Sequence, residues 1–152
     1  MGHFPLFLDV GGRRVVIVGG GVVGTRRALA FAGAGAAVEV VSPQISADLA
    51  AAVASGAVVW HPREYRPDDL ADAWLVHTAT GEPAVDAQVS ANAAERHLWC
   101  IDATDARRAT AHVPARRTVD DITISVHTGT DPHRARRLAD QLAAAARSHL
   151  RG

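Results

Sequence analysis

The sequence contains no lysine, so all 16 of its Lys and Arg residues are arginine. Without lysine there is no Schiff-base amine and no phosphate-loop lysine, which excludes that class of chemistry. Cysteine occurs once, as Cys100. One thiol forms no internal disulfide and builds no multi-cysteine metal site. No run reaches the roughly 18 apolar residues that a membrane span needs. The opening MGHFPLFLDVGGRR has neither a basic n-region nor a long apolar h-region, so it does not read as a signal peptide. MGHFPL also lacks the Ser or Thr of a myristoylation site. A formal net charge of +0 leaves no global positive field for nucleic acid. These absences point to a cytoplasmic chain with neither nucleic acid nor membrane as a partner.

What is present is ordinary for a globular fold: 48% hydrophobic and 21% charged residues in a chain of 152. That length suits one domain, or one with a small appendage. RRVVIVGG (13–20) reads as a buried strand and VVGTRRALAFAGA (22–34) as a helix, with Ala28 and Leu29 inward and Arg26 and Arg27 outward. AAVEVVS (36–42) is a second strand. SADLAAAVASG (46–56) is a helix with Ser46 as N-cap and Gly56 as its stop. Further strands fall at 57–61, 73–80 and 98–104, with a helix at 82–97 between the last two. This alternation predicts an α/β fold of the Rossmann type, a doubly wound parallel sheet. After Asp105 the pattern changes to two short β-prone runs around Val119-Asp120-Asp121, then a helix over 131–152 with Pro132 in its first turn. Its apolar stripe reads as Ala135, Leu138, Leu142, Ala145 and Ala146. The domains predicted are 1–110 and 111–152.

Gly19, Gly21 and Gly24 stand in the spacing GxGxxG, between a strand and a helix. The first glycine permits the tight turn, the second the approach of a pyrophosphate, and the third close packing of helix on strand. The anion then rests on the helix N-terminus at Gly21, Val22, Val23 and Gly24, where N–H groups lack partners. The spacing and its context point to a dinucleotide. No acid ends the second strand; Ser42, Pro43 and Gln44 stand there, and Glu39 comes too early to reach a ribose. No arginine follows to hold a 2′-phosphate, which favours NAD over NADP. Thr78, Ala79 and Thr80 follow the fourth strand at the edge where such sheets bind ligands. Thr80 reads equally as the hydroxyl that caps the next helix.

The segment FPLFLDVGGRRVVIVGGGVVGTRRALAFAGAGAAVEVVSPQI closely resembles the opening of the siroheme synthase N-terminal module, the precorrin-2 dehydrogenase / sirohydrochlorin ferrochelatase family. WLVHTATGEPAVDAQVSANAAERHLWC, DARRATAHVPA and ITISVHTGTDPHRARRL extend the resemblance over nearly the whole chain. It implies NAD-dependent oxidation of precorrin-2 to sirohydrochlorin, with iron insertion in some members. It also implies a homodimer joined through the strand pair and the terminal helix. The substrate is a polycarboxylate, and seven arginines from Arg107 to Arg137 can hold carboxylates bidentately or form a solvated basic face. The candidate substrate-binding residues are Arg107, Arg134, His127, Thr128 and Gly129.

The resemblance implies an aspartate after the fifth strand as acid/base, and here Thr104 occupies that place. A threonine hydroxyl is no general base near neutral pH without an activator. Three readings follow. Asp105 replaces the base, or cofactor positioning suffices without a strong base, or the chain binds NAD or a tetrapyrrole without catalysis. His127 and Thr128 replace the family's serine-rich segment, so no metal ligands are assigned. Cys100 reads as a buried strand residue. Family members continue beyond the terminal helix, so an end at Gly152 implies a more open site or one completed by a partner.

Overall fold

A computed structural model describes residues 2–129 and 131–150; the chain's end at Gly152 lies outside them. The chain divides after Ala111 into two compact units. The first holds β1 (Arg14–Val18), α1 (Val22–Gly33), β2 (Ala37–Val41), α2 (Ala47–Ala54), β3 (Val58–His61), β4 (Leu75–Thr78), α3 (Pro83–Glu95) and β5 (Trp99–Asp102). Its five strands are parallel in the order β3-β2-β1-β4-β5. The chain therefore winds outward from β1 in both directions, and the order reverses between β1 and β4.

Alternation along the strands supplies two cores. Val15 and Ile17 of β1 face α1 and α2, packing with Ala28, Leu49 and Ala52. Val16 and Val18 face the other way, packing with Val89 and Ala93 of α3 and with Leu70. Leu70 belongs to a 3₁₀ turn, Pro67–Leu70, that the residue pattern did not reveal. The turn is tied by Asp69, which accepts from the Arg66 N–H at 2.8 Å and pairs with Arg63.

Helix α1 turns a narrower face inward than its sequence suggests. Gly24, Thr25 and Ala28 are buried, and Leu29 is exposed. Only small side chains fit where this helix meets the sheet, and Leu29 lies one step further round the helix. Ser46 caps α2 as expected, its Oγ accepting the Leu49 N–H at 3.2 Å.

The second unit is an antiparallel pair, β6 (Ala115–Val119) and β7 (Ile122–Val126), with α4 (Pro132–Leu150) packed on it. The buried stripe of α4 is Ala135, Ala139 and Ala143. Leu142 and Ala145, expected in the stripe, are exposed. The helix uses an i, i+4 row of alanines, which lets it approach the hairpin closely.

His77 sits on the α1 face of β4, 1% exposed, with Nδ1 3.1 Å from the Ile101 carbonyl oxygen. Burial, with the charge of Arg27 adding to it, lowers its pKa to about 4. The native state thus holds it neutral, while the unfolded chain takes up a proton near its ordinary 6.5. Its contribution is complete above about pH 6.5, declines as pH falls, and is lost by pH 4, for a total on the order of 3 kcal/mol. Denaturant unfolding across that interval is expected to show a shallower acid decline in His77→Phe than in the natural protein.

Candidate dinucleotide and substrate site

The glycine loop lies at the carboxyl ends of β1 and β4, where the strand order reverses. Gly19 has φ +112°, and a Cβ there would stand 2.3 Å from the Ala79 carbonyl oxygen. A Cβ on Gly24 would stand 1.9 Å from the Gly19 carbonyl oxygen. Both positions therefore require glycine. Gly20, between them, presses equally hard on the Gln44 carbonyl. Gly21 is different: nothing lies within 4 Å of its Cβ position. The backbone faces open space at the one glycine that the motif reserves for a phosphate.

Helix α1 begins there without a side-chain cap and without an acid in its first turn. Its N–H groups and the positive end of its dipole are left for an anion. Val22 and Val23 flank this opening, exposed by 84% and 39%. The donor set and the empty space fit a dinucleotide pyrophosphate. Thr25 and Ser46 fasten the loop from behind, with their hydroxyl oxygens 2.8 Å apart, and the Ser46 N–H reaches the Gly20 carbonyl.

After β2, the hydroxyl of Ser42 donates to the Gln44 carbonyl at 2.7 Å, and the Ser42 carbonyl accepts from Trp60 Nε1. Ser42 therefore shapes the turn, and Pro43 and Gln44 are the residues it exposes. Glu39 is taken up by Arg14 and His61 at 2.7 and 2.8 Å. The Arg14 hydrogen bonds above all hold its carboxyl down at about 2.

At the ends of β4 and β5 the structure gathers residues that the sequence left scattered. Asp86, in the first turn of α3, is fully buried. Its Oδ1 accepts from the Thr78 hydroxyl at 2.5 Å, the Thr80 hydroxyl at 2.8 Å and the Thr80 N–H at 3.1 Å. Its Oδ2 accepts from the hydroxyl of Thr104. Burial alone would raise its pKa, but the hydrogen bonds of Thr104, Thr78 and Thr80 together lower it. Thr78, expected at the cofactor, is fully buried, and its hydroxyl goes to Asp86. Thr80 serves as the helix-entry hydroxyl, accepting the Glu82 N–H at 3.0 Å. Ala79 lies against the glycine loop through its carbonyl. Sequence reasoning missed Asp86. The signal for it was there, because Asp86, Val89, Ser90 and Ala93 share one inward stripe of α3.

Asp102 organises the turn beyond β5. Its side chain accepts from Ser90 Oγ, the N–H groups of Thr104 and Asp105, and Arg108 Nε, all within 2.9 Å. Asp105, a candidate base, is held by Arg107 at 2.8 Å and Arg108 at 3.3 Å. Chiefly the Arg107 hydrogen bonds bring its carboxyl to about 2. The turn points Asp105 at arginines, whose guanidinium N–H groups occupy both of its carboxylate oxygens. Arg107, a candidate substrate ligand, has its guanidinium on Asp105. Cys100 is buried, and burial pushes its thiol up.

In the second unit, His127 lies against His112, with ring centroids 5.6 Å apart. The Thr128 hydroxyl donates to the Asp131 carbonyl at 2.5 Å, and Gly129 turns at φ +68°. Asp131 in turn accepts the Arg134 N–H, capping α4. Thr128, Gly129 and the Arg134 backbone thus build a helix entry. Among the described residues, no three His, Cys, Asp or Glu side chains gather to hold a metal ion, and no helix is long and apolar enough to cross a membrane.

Gly21→Ala is expected to melt like the natural protein and to bind NAD at least tenfold more weakly by titration. Gly24→Ala is expected to lose stability as well, by about 2 kcal/mol or more, because its Cβ meets backbone.

Comparison with known proteins agrees with this geometry. A family model described as "Putative NAD(P)-binding" matches residues 6–115. Siroheme synthase 3 of Aeromonas hydrophila subsp. hydrophila is 30% identical over 151 residues, 99% of this chain and 32% of the relative. Siroheme synthase of Pseudomonas entomophila is 37% identical over 132 residues, 86% of this chain and 28% of the relative. The chain thus spans about a third of the length of these curated relatives. Among solved structures, SirC, precorrin-2 dehydrogenase, matches with a TM-score of 0.85 at 27% identity, covering 94% of this chain and 71% of that one. The chain belongs to this NAD(P)-binding family.

Proposed function

We propose that the protein is an NAD-dependent dehydrogenase that oxidises precorrin-2 to sirohydrochlorin. The observation that carries this reading is the open space over Gly21 at an uncapped helix N-terminus, in a chain whose fold follows that of a precorrin-2 dehydrogenase. NAD, when bound, supplies the hydride acceptor. The chain's part is to hold its pyrophosphate on the N–H groups of Gly21 to Gly24 and to pack Val22 and Val23 against it. Pro43 and Gln44 border the adenosine ribose. With no acid and no arginine at that turn, NAD is preferred to NADP.

The oxidation removes one hydride and one proton, so the chain must also receive a proton. The Arg107 and Arg108 pairing disfavours Asp105 for that task. The same pairing favours a second reading, a module that binds NAD or a tetrapyrrole without turnover.

The protein acts as a homodimer in the cytoplasm. Leu142 and Ile122 in the second unit are exposed by 49% and 39%, which supports an apolar contact between copies. Leu142→Glu is expected to shift the mass measured by light scattering from dimer to monomer.

Precorrin-2 with NAD is expected to give NADH absorbance together with the sirohydrochlorin spectrum. A folded protein that binds NAD and yields neither would support the non-catalytic reading. The same assay with NADP is expected to give a KM at least tenfold higher.

A further inference from the structure

The carboxylate of Asp86 is shut off from solvent, and hydroxyls line its way out. Thr78 is as deeply buried as Asp86 itself. Thr80 is half-buried, and its oxygen already accepts the Glu82 N–H. Thr104 is exposed, and its hydroxyl accepts no hydrogen bond from the described residues while donating to Asp86 Oδ2. Oδ2 takes no other donor among them. A hydroxyl whose hydrogen is fixed inward turns its lone pairs outward. A hydroxyl hydrogen-bonded to an adjacent base is also the arrangement that activates serine and threonine. The backbone supports this orientation, since Asp102 accepts the Thr104 N–H at 2.8 Å and pins the turn.

We propose that Thr104 and Asp86 act as a pair, in which Thr104 Oγ1 takes the proton from a pyrrolic N–H of the tetrapyrrole while its own hydrogen passes to Asp86 Oδ2. This rests on the dehydrogenase reading above. The substrate loses a hydride from carbon to an oxidised nicotinamide dinucleotide and a proton from nitrogen to Thr104. One O–H bond forms on Thr104 as its former O–H bond breaks, and Asp86 becomes the neutral acid. The proton returns to water by the same hydroxyl after the product leaves. Thr104 is the catalytic residue, and Asp86 is a positioning residue that acts through it. The ionised state that Asp86 needs before the reaction is favoured by its threonine donors and by its place in the first turn of α3.

The test uses four proteins, the natural chain and three variants, each checked by thermal melting and NAD titration. Asp86→Asn keeps the size of the side chain, but its amide oxygen stays on the Thr80 N–H, so its NH2 faces Thr104 and the proton store is lost. This variant is expected to lower kcat about 100-fold or more and to leave the KM for precorrin-2 within about twofold. Thr104→Val is expected to lower kcat similarly. The double variant Asp86→Asn with Thr104→Asp places a carboxylate at the exposed position with an amide behind it, and it is expected to regain at least tenfold of the lost kcat. A merely structural role for Asp86 gives no such recovery.

Natural kcat in folded Asp86→Asn, or no recovery in the folded double variant, overturns the proposal. Titration with sirohydrochlorin supplies a readout without turnover, and Thr104→Val is expected to bind it about fivefold more weakly for want of the acceptor. A natural protein that binds sirohydrochlorin and oxidises no precorrin-2 removes the dehydrogenase reading. In that case unchanged affinity in Thr104→Val removes the pair as well, and absence of any binding removes both.

Discussion

Helix α1 starts where it does because three stretches of backbone meet with no side chain between them. The Gly24 Cα lies against the Gly19 carbonyl, Gly19 against Ala79, and Gly20 against Gln44. Each approach draws a different strand end to one point: β1 through Gly19, β4 through Ala79 and the β2 turn through Gln44. The Gly19 N–H on the Val41 carbonyl and the Ala79 N–H on the Val18 carbonyl close this junction. Larger residues would push the helix off the sheet edge and open the α1 core around Ala28 and Ile17. The same close packing leaves Gly21 as the glycine with room above it, so the fold's tightest point borders its binding surface.

Beside this junction the fold buries two carboxylates, Asp86 in the first turn of α3 and Asp102 at the end of β5. A buried charge without partners is costly, and each of these has four. Their partners come from the turns after β4 and β5 and from α3, so the two anions fix the shape of loops that have little apolar packing of their own. Arg108 reaches both Asp102 and Asp105 and ties the outer turn to the inner one. The geometry at Thr104 is thus set by charges that never meet solvent.

The sheet and its winding were legible because strands of the RVVIV kind, spaced by short helices, permit few other arrangements. The glycine loop was legible too, because its spacing encodes backbone approach directly. Local patterns failed where burial depends on distant partners. Leu29 and Leu142 are apolar yet exposed, since the available space admits only Ala28, Ala139 and Ala143. Asp86 was passed over because an acid near a helix start usually serves the helix dipole in solvent. Its burial follows from three threonines, one of them 18 residues away. The commitment of Asp105 to Arg107 and Arg108 likewise depends on how the turn winds, which spacing does not encode.

Trp60 donates its indole N–H to the Ser42 carbonyl and so belongs to the turn that stands where related loops carry an acid. Indole emission responds to its hydrogen bonding and overlaps the absorption of reduced nicotinamide. The fold has therefore set one of the chain's three indoles on the turn whose Gln44 carbonyl abuts the glycine loop, so that its emission reports the hydrogen bonding of that turn without any label.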